Sequence, residues 1–270
     1  MFPVALIVFR ESLEAALLIG ILAVATKGVP DRGRWLLAGL AVGLAGAVLM
    51  GSAMEKITTL SSGLGQELVN AAILSVALVL LVWHSVWASV HAKELVSQAR
   101  TVGGMARNNE SSLWPVGILV CLAVLREGAE TVLFVSGLLS GADMTTGELV
   151  TGTLFGMTLG SGVGLLMYFG LGRINPKNLF SVTQVLILML AGNLASQLAK
   201  TLQQGGWIDK LLDSAWDAEN LLPMDHVAAN ILHSLVGYES NPSQLQVVAY
   251  GMTVFSILAA VHWRESRVKS

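Results

Sequence analysis

The sequence predicts an all-α polytopic membrane protein with seven transmembrane helices, an inverted 3+3 helix repeat plus a seventh helix. Three observations carry that expectation. Hydrophobic residues make up 54% of the chain and charged residues only 13%, where a soluble domain carries about 25% charged residues; the mean hydropathy is +0.67. Seven windows hold the roughly 20 apolar residues needed to cross about 30 Å of hydrocarbon. One charged pattern, R-E-x-x-E, occurs twice inside those windows, as Arg10-Glu11-Ser12-Leu13-Glu14 and Arg126-Glu127-Gly128-Ala129-Glu130.

The windows are 3–26, 35–54, 67–90, 114–139, 147–171, 180–200 and 244–263. The first is read as a retained helix rather than a secretory signal, because it has no early Lys or Arg and places three charges in the would-be apolar core. The chain is read as one transmembrane domain, 1–270: repeat A at about 1–92, repeat B at about 114–200, an external loop at about 201–243 and helix 7 at about 244–263. The single Cys121 falls within the fourth window, which excludes an intrachain disulfide.

Basic residues set the expected orientation. Lys27, Arg32, Arg34, Lys93, Arg100, Arg107, Arg173, Lys177, Arg264, Arg267 and Lys269 fall on one side, and only Lys56, Lys200 and Lys210 on the other. The N-terminus is therefore expected outside and the C-terminus in the cytoplasm, a parity that seven spans satisfy. Acids partition the other way. Glu55, Glu67, Asp143, Glu148, Asp209, Asp213, Asp217, Glu219, Asp225 and Glu239 lie outside, against Asp31, Glu94, Glu110 and Glu265 inside. A negative outer face would concentrate cations.

The repeat is legible beyond the charged motif. Val8 to Glu14 aligns with Val124 to Glu130 at an offset of 116. In the next windows, small residues at 39, 43, 47 and 51 match glycines at 152, 156, 160 and 164 at an offset of 113. Such small-xxx-small stripes let helices approach closely in lipid. Three helices per copy is an odd number, so the copies must be inverted, with a site expected at their interface.

Inversion sets the depth of the charges. Glu11 and Glu130 should both lie roughly 14 Å below the outer end, and Glu14 and Glu127 roughly 18 Å. Glu11 is thus expected to pair with Glu130, and Glu14 with Glu127. Within each motif the spacings i,i+3 and i,i+4 put the triplet on one helix face. Two such faces meeting make a four-carboxylate cage. Ionised groups at this depth are costly and mark function. Carboxylate oxygens suit hard cations such as Fe³⁺, Mg²⁺, Ca²⁺ or Mn²⁺. Arg10 and Arg126 can neutralise part of the cage until a metal displaces them. Two Arg–Glu pairs acting only as helix glue are the bland reading, and ion pairs are poor glue. A proton-driven carrier using the carboxylates as relays is the serious rival; a structural or receptor-like protein is the third class.

At these residues the chain resembles the oxidase-dependent and EfeU-type high-affinity iron permeases. The resemblance spans nearly the whole chain. It includes Phe9 through Leu17, the Gly33-Arg34-Trp35 start of helix 2, the second R-E-x-x-E, Gly205-Gly206-Trp207, and Gly237-Tyr238 followed by Pro242-Ser243. It implies an iron importer of the bacterial inner membrane, not an enzyme, with Glu11, Glu14, Glu127 and Glu130 as metal ligands and Arg10 and Arg126 as their partners. Iron, taken as Fe³⁺ at the membrane site, is then the transported substrate and no cofactor is expected; Pb²⁺ or Mn²⁺ are the alternative cargoes. Partners would be iron ions, membrane lipid and separate extracytoplasmic iron-binding or oxidase proteins, with no nucleic acid.

The remaining polar residues carry weaker expectations. Residues 207–213 read as an amphipathic interfacial helix, within a loop that the resemblance makes an outer gate. Asp217, Glu219, Asp225, His226 and His233 are candidates to pass metal inward, against a plain surface cap. His84 follows Trp83 in helix 3, and reads as an interfacial histidine beside a belt tryptophan or as an exit ligand. Asn70, Asn193 and Gln197 read as interhelical hydrogen-bond partners. Met50 and Met54 mimic a thioether copper site, yet lack Cys or His neighbours and read as packing.

Overall fold

The structure, a computed structural model, describes residues 1–60, 66–107, 113–141, 144–169 and 176–269. Asp143, Glu110 and Arg173 lie outside the described residues, as do the side chains of Lys93, Glu94, Arg100, Arg107, Lys177, Arg264, Glu265, Arg267 and Lys269, on which the charge count drew. Eight helices form among the described residues: α1 (Phe2–Ala25), α2 (Arg32–Leu60), α3 (Gln66–Arg107), α4 (Trp114–Gly141), α5 (Thr146–Tyr168), α6 (Pro176–Gln204), α7 (Val227–Val236) and α8 (Gln244–Lys269). All but α7 coincide with an apolar window. Five of them, α2, α3, α5, α6 and α8, are long and apolar enough to cross a membrane. The other two long helices, α1 with 24 residues and α4 with 28, carry the charged motifs.

Helix ends depart from the windows for a simple reason. Hydropathy finds what fits in hydrocarbon, not where a helix stops. The third window closes at 90, yet α3 continues to Arg107 through Ala, Lys, Glu, Gln and Arg, all good helix formers. The expected helix at 207–213 is not formed; this stretch is bends and irregular chain. Leu211 adopts a φ of 59°, and the carbonyls of Leu211 and Asp213 accept from Leu245 and Gln244 at 3.2 and 2.9 Å. Seven residues cannot pay for helix nucleation, and the backbone finds partners in the chain that leads into α8. The loop's helix is instead α7, ended by Gly237 at φ 77°.

Four helices make most of the core, and Ile257 of α8 joins them. Val4, Ile7 and Val8 of α1 cluster with Leu74, Ala77 and Leu81 of α3, Phe134 and Leu138 of α4, and Leu190 and Leu194 of α6. A second cluster joins Leu22 of α1 to Val116, Val120 and Val124 of α4. The start of α1 thus meets the end of α4, and its end meets the start of α4, so the two run antiparallel. Helices α2, α5 and α8 lie outside, with Leu37, Val48, Leu49, Leu154, Phe155, Met252 and Phe255 all exposed. Apolar faces left bare in this way require an apolar solvent, and the molecule is a multi-pass membrane protein.

The small-residue stripes seat the outer helices. On α5, a Cβ added at Gly152, Gly156, Gly160 or Gly164 would meet Val4, Val8, Ser12 or Ala16 of α1 within 3.3 Å. On α2, Gly39, Gly43 and Gly51 face Val120, Val124 and Val132 of α4, and Ala47 faces Gly128. Contacts ascend together along both chains, so α1 runs parallel to α5 and α2 parallel to α4. At the α1–α5 end, the Met1 ammonium lies 3.9 Å from Glu148, which also closes the capping box of α5 with Thr145.

Candidate cation site

The two charged motifs face each other between the apolar clusters. Each glycine stripe sets the opposite motif in place: Gly160 abuts Phe9 O and Ser12 Cβ on either side of Arg10 and Glu11, and Gly128, inside the second motif, abuts Ala47. Arg10 is buried, with Nη1 2.9 Å from Glu11 Oε1 and Nη2 2.9 Å from Glu14 Oε1. Arg126 Nε lies 2.9 Å from Glu130 Oε1 and 3.9 Å from Glu127 Oε1. The same i,i+4 pair, Arg10–Glu14 and Arg126–Glu130, therefore recurs in both motifs.

Across the motifs, ligand atoms of Glu11, Glu127 and Glu130 lie within 4.8 Å of one another, and so do those of Glu11, Glu14 and His84. Glu11 is common to both groups. It shares a group with Glu130, as depth suggested; Glu14 is grouped with His84 and not with Glu127. Glu11 Oε2, Glu127 Oε2 and Glu130 Oε2 are buried without a hydrogen-bond partner. Buried carboxylate oxygens in that state are costly, and a cation between them would supply what they lack.

His84 is not interfacial. It is 2% exposed while Trp83 beside it is 66% exposed, so the tryptophan faces lipid and the histidine faces inward. His84 Nδ1 lies 2.5 Å from Glu130 Oε2 and Nε2 3.7 Å from Glu14 Oε2, and Arg126 Nη2 is 3.3 Å from Nδ1. The imidazole bridges the two motifs. A signal for this was present: Leu74, Ala77, Leu81 and His84 are all buried at the 3, 4, 3 spacing of one helix face. The Trp83 neighbour, read as a belt residue, drew attention to the wrong face.

The outer-loop candidates are not gathered. Asp217, Glu219, Asp225 and His226 are exposed and stand outside both groups. Asp217 Oδ1 accepts from Glu219 N at 3.0 Å, and His233 Nδ1 contacts Tyr238 O at 2.7 Å across the end of α7. The loop is held instead by Glu239, which pairs with Lys200, accepts from Gln246 Nε2 at 2.5 Å, and offers its carbonyl to Trp216 Nε1. Gln197 bonds Asn193 within α6 at 3.3 Å, not a residue of another helix. Met50 lies on the exposed face of α2, apart from both groups.

The fold and site define a polytopic membrane protein with a buried, arginine-tempered carboxylate cluster between antiparallel helices. Residues 1–264 match the Iron permease FTR1 family, and the chain belongs to that family. It is similar to the "Ferrous iron permease EfeU" of Escherichia coli O157:H7, 28% identical over 96% of this chain and 95% of that protein. The protein of the same name from Yersinia pestis is 27% identical over 93% of this chain and 89% of its own. No solved structure matches the chain.

Proposed function

We propose that the protein imports iron across the bacterial inner membrane, with Glu11, Glu14, Glu127 and Glu130 as the ligands that carry the ion and Arg10 and Arg126 as their resting counter-ions. The observation that carries this reading is the group of Glu11, Glu127 and Glu130 oxygens within 4.8 Å, drawn from both motifs, with one oxygen of each lacking a hydrogen-bond partner. The register of the stripes supports an inverted repeat: Val4, Val8, Ser12 and Ala16 meet the α5 stripe as Val120, Val124, Gly128 and Val132 meet the α2 stripe. The halves α1–α3 and α4–α6 are then copies related by inversion, with seven spans, an outside N-terminus and a cytoplasmic C-terminus. The exposed residues Asp217, Glu219, Asp225 and His226 serve at most to attract cations toward the outer face. Oxidation or capture of iron outside the cell falls to separate proteins.

The ion is Fe²⁺ in this reading, rather than the Fe³⁺ expected from the hard ligands alone. Four carboxylates and two guanidiniums carry a formal charge of −2, which a divalent ion neutralises without displacing either arginine. A trivalent ion would leave a net positive charge at membrane depth, which is penalised by several kcal/mol (~2.5–3.5 on insertion scales). The two similar proteins are named for ferrous iron. The test is uptake by purified protein in liposomes offered Fe²⁺, Fe³⁺, Mn²⁺ and Pb²⁺ separately. Fe²⁺ should enter fastest. Exclusive uptake of Fe³⁺ would overturn the charge argument, and proton flux without metal flux would return the carboxylates to a relay.

A further inference from the structure

We propose that His84 is itself a ligand of the transported cation: its Nε2, with Glu11 and Glu14, forms a second ion position that shares Glu11 with the all-carboxylate position of Glu11, Glu127 and Glu130. This rests on the four-glutamate reading and extends it from one position to two.

The ring's two nitrogens face different carboxylates, Glu130 and Glu14. Nδ1 lies 2.5 Å from Glu130 Oε2, and the neutral ring carries one proton that either nitrogen can hold. Assigning that proton to Nδ1 makes it the donor and leaves a lone pair on Nε2. Nε2 is buried and makes no hydrogen bond, and it points toward Glu14 Oε2 at 3.7 Å. A carboxylate that holds one ring nitrogen while the other is presented to a metal is the usual arrangement for histidine ligands. Glu130 performs that orienting task from α4, and its other oxygen is fixed by Arg126 Nε at 2.9 Å. Glu11, Glu14 and His84 already bring ligand atoms within 4.8 Å of one another, so one ion could contact all three.

Two positions with a shared carboxylate explain how an ion could move. Glu11 Oε1 is held by Arg10 Nη1 at 2.9 Å, while Oε2 is unpartnered and available to either position. An ion bound among Glu11, Glu127 and Glu130 passes to Glu11, Glu14 and His84 without leaving Glu11. The second position adds a nitrogen donor. Imidazole suits Fe²⁺ and its transition-metal neighbours, whereas Mg²⁺ and Ca²⁺ prefer oxygen alone. His84 therefore sets the cation class.

The test uses purified full-length protein containing ¹⁵N-labelled histidine, loaded with Mn²⁺ and examined by pulsed electron paramagnetic resonance. Wild type should show coupling to a directly bonded histidine nitrogen. His84→Gln should abolish it, and Glu127→Gln should keep it. In liposomes, His84→Gln should lower the Fe²⁺-over-Mg²⁺ uptake ratio at least about tenfold. Should His84→Gln fail to reach the membrane, a chain with His91, His226, His233 and His262 replaced must retain the coupling. Bound Mn²⁺ without histidine coupling in wild type, or coupling that survives His84→Gln, overturns the proposal. Iron uptake that still depends on Glu11 in that case leaves the four-glutamate reading standing; uptake indifferent to Glu11→Gln would remove that reading itself.

Discussion

Replacing Gly128 by alanine tests whether helix packing positions the ligands. A Cβ at Gly128 would lie 2.4 Å from Ala47 Cβ, where ordinary contact begins at 3.4 Å. Neither methyl group has a torsion that could turn it aside, so α4 must retreat from α2 by about an ångström. Overpacking of this kind costs about 1–3 kcal/mol. Glu127 precedes Gly128 and Glu130 follows two residues later, so the displacement carries both carboxylates away from Glu11. Ligand sets tolerate about 0.5 Å, and a misplacement near 1 Å lowers rates by about a hundredfold in comparable settings. Iron uptake by Gly128→Ala should therefore fall between about tenfold and a hundredfold, with thermal unfolding in detergent shifted downward. The second substitution Ala47→Gly removes the opposing methyl and recreates the crossing seen between Gly160 and Ser12. Helix propensity lost at 47, about 1 kcal/mol, is regained at 128, so the double variant should recover most uptake and stability. Full uptake by Gly128→Ala, or no recovery in the double variant despite normal insertion, would refute the packing argument. Gly162→Ala, where a Cβ meets nothing within 4 Å, is the matched control.

Three further outcomes are expected. Glu11→Gln and Glu130→Gln should each abolish iron uptake in liposomes while leaving the protein in the membrane, and near-normal transport by inserted Glu130→Gln would remove the cage. Arg126→Lys should transport markedly less well than wild type at equal charge, because Arg126 holds Glu130 Oε1 through Nε at 2.9 Å and an ammonium lacks the planar guanidinium that fixes this geometry; equal uptake and metal affinity would reduce the arginine to a charge. A reporter that fluoresces only in the cytoplasm, fused after Ser270, should light up, and a dark full-length fusion would mean a miscounted span.

The sequence made the seven long helices and the two motifs legible because each has a local signature. Apolar runs near 20 residues mark spans, and charges inside them stand out. The glycine stripes also announced close packing, but not their partners: nothing local says that the α5 stripe will seat α1 rather than α4. Of the two readings of His84, the interfacial one followed a single neighbour, Trp83, and overlooked the buried stripe of Leu74, Ala77 and Leu81. The helix at 207–213 was misjudged because amphipathic spacing over seven residues ignores cross-chain partners such as the Ser214–Ser243 bridge. Depth in the membrane pairs Glu11 with Glu130, but it holds no information on a third helix, whose His84 lies between Glu14 and Glu130.

The geometry bears on whether the charges are glue or a pathway. Glue requires balance: two arginines would need two carboxylates, each with its oxygens satisfied. Here Arg10 is already engaged by Glu11 and Glu14 at 2.9 Å each, and Arg126 by Glu130 at 2.9 Å. Glu127 is left with its nearest guanidinium contact at 3.9 Å and with Oε2 unpartnered. Removing Glu127 would therefore cost helix cohesion little, since its one guanidinium contact is long and a Glu11 carboxylate crowds it within 4.8 Å. Glu127→Gln separates the cases by opposite signs. It should stabilise the protein, or leave its unfolding unchanged, while abolishing iron transport. Loss of stability in step with loss of transport would make Glu127 a structural member of the cluster, and the surplus charge would need another explanation.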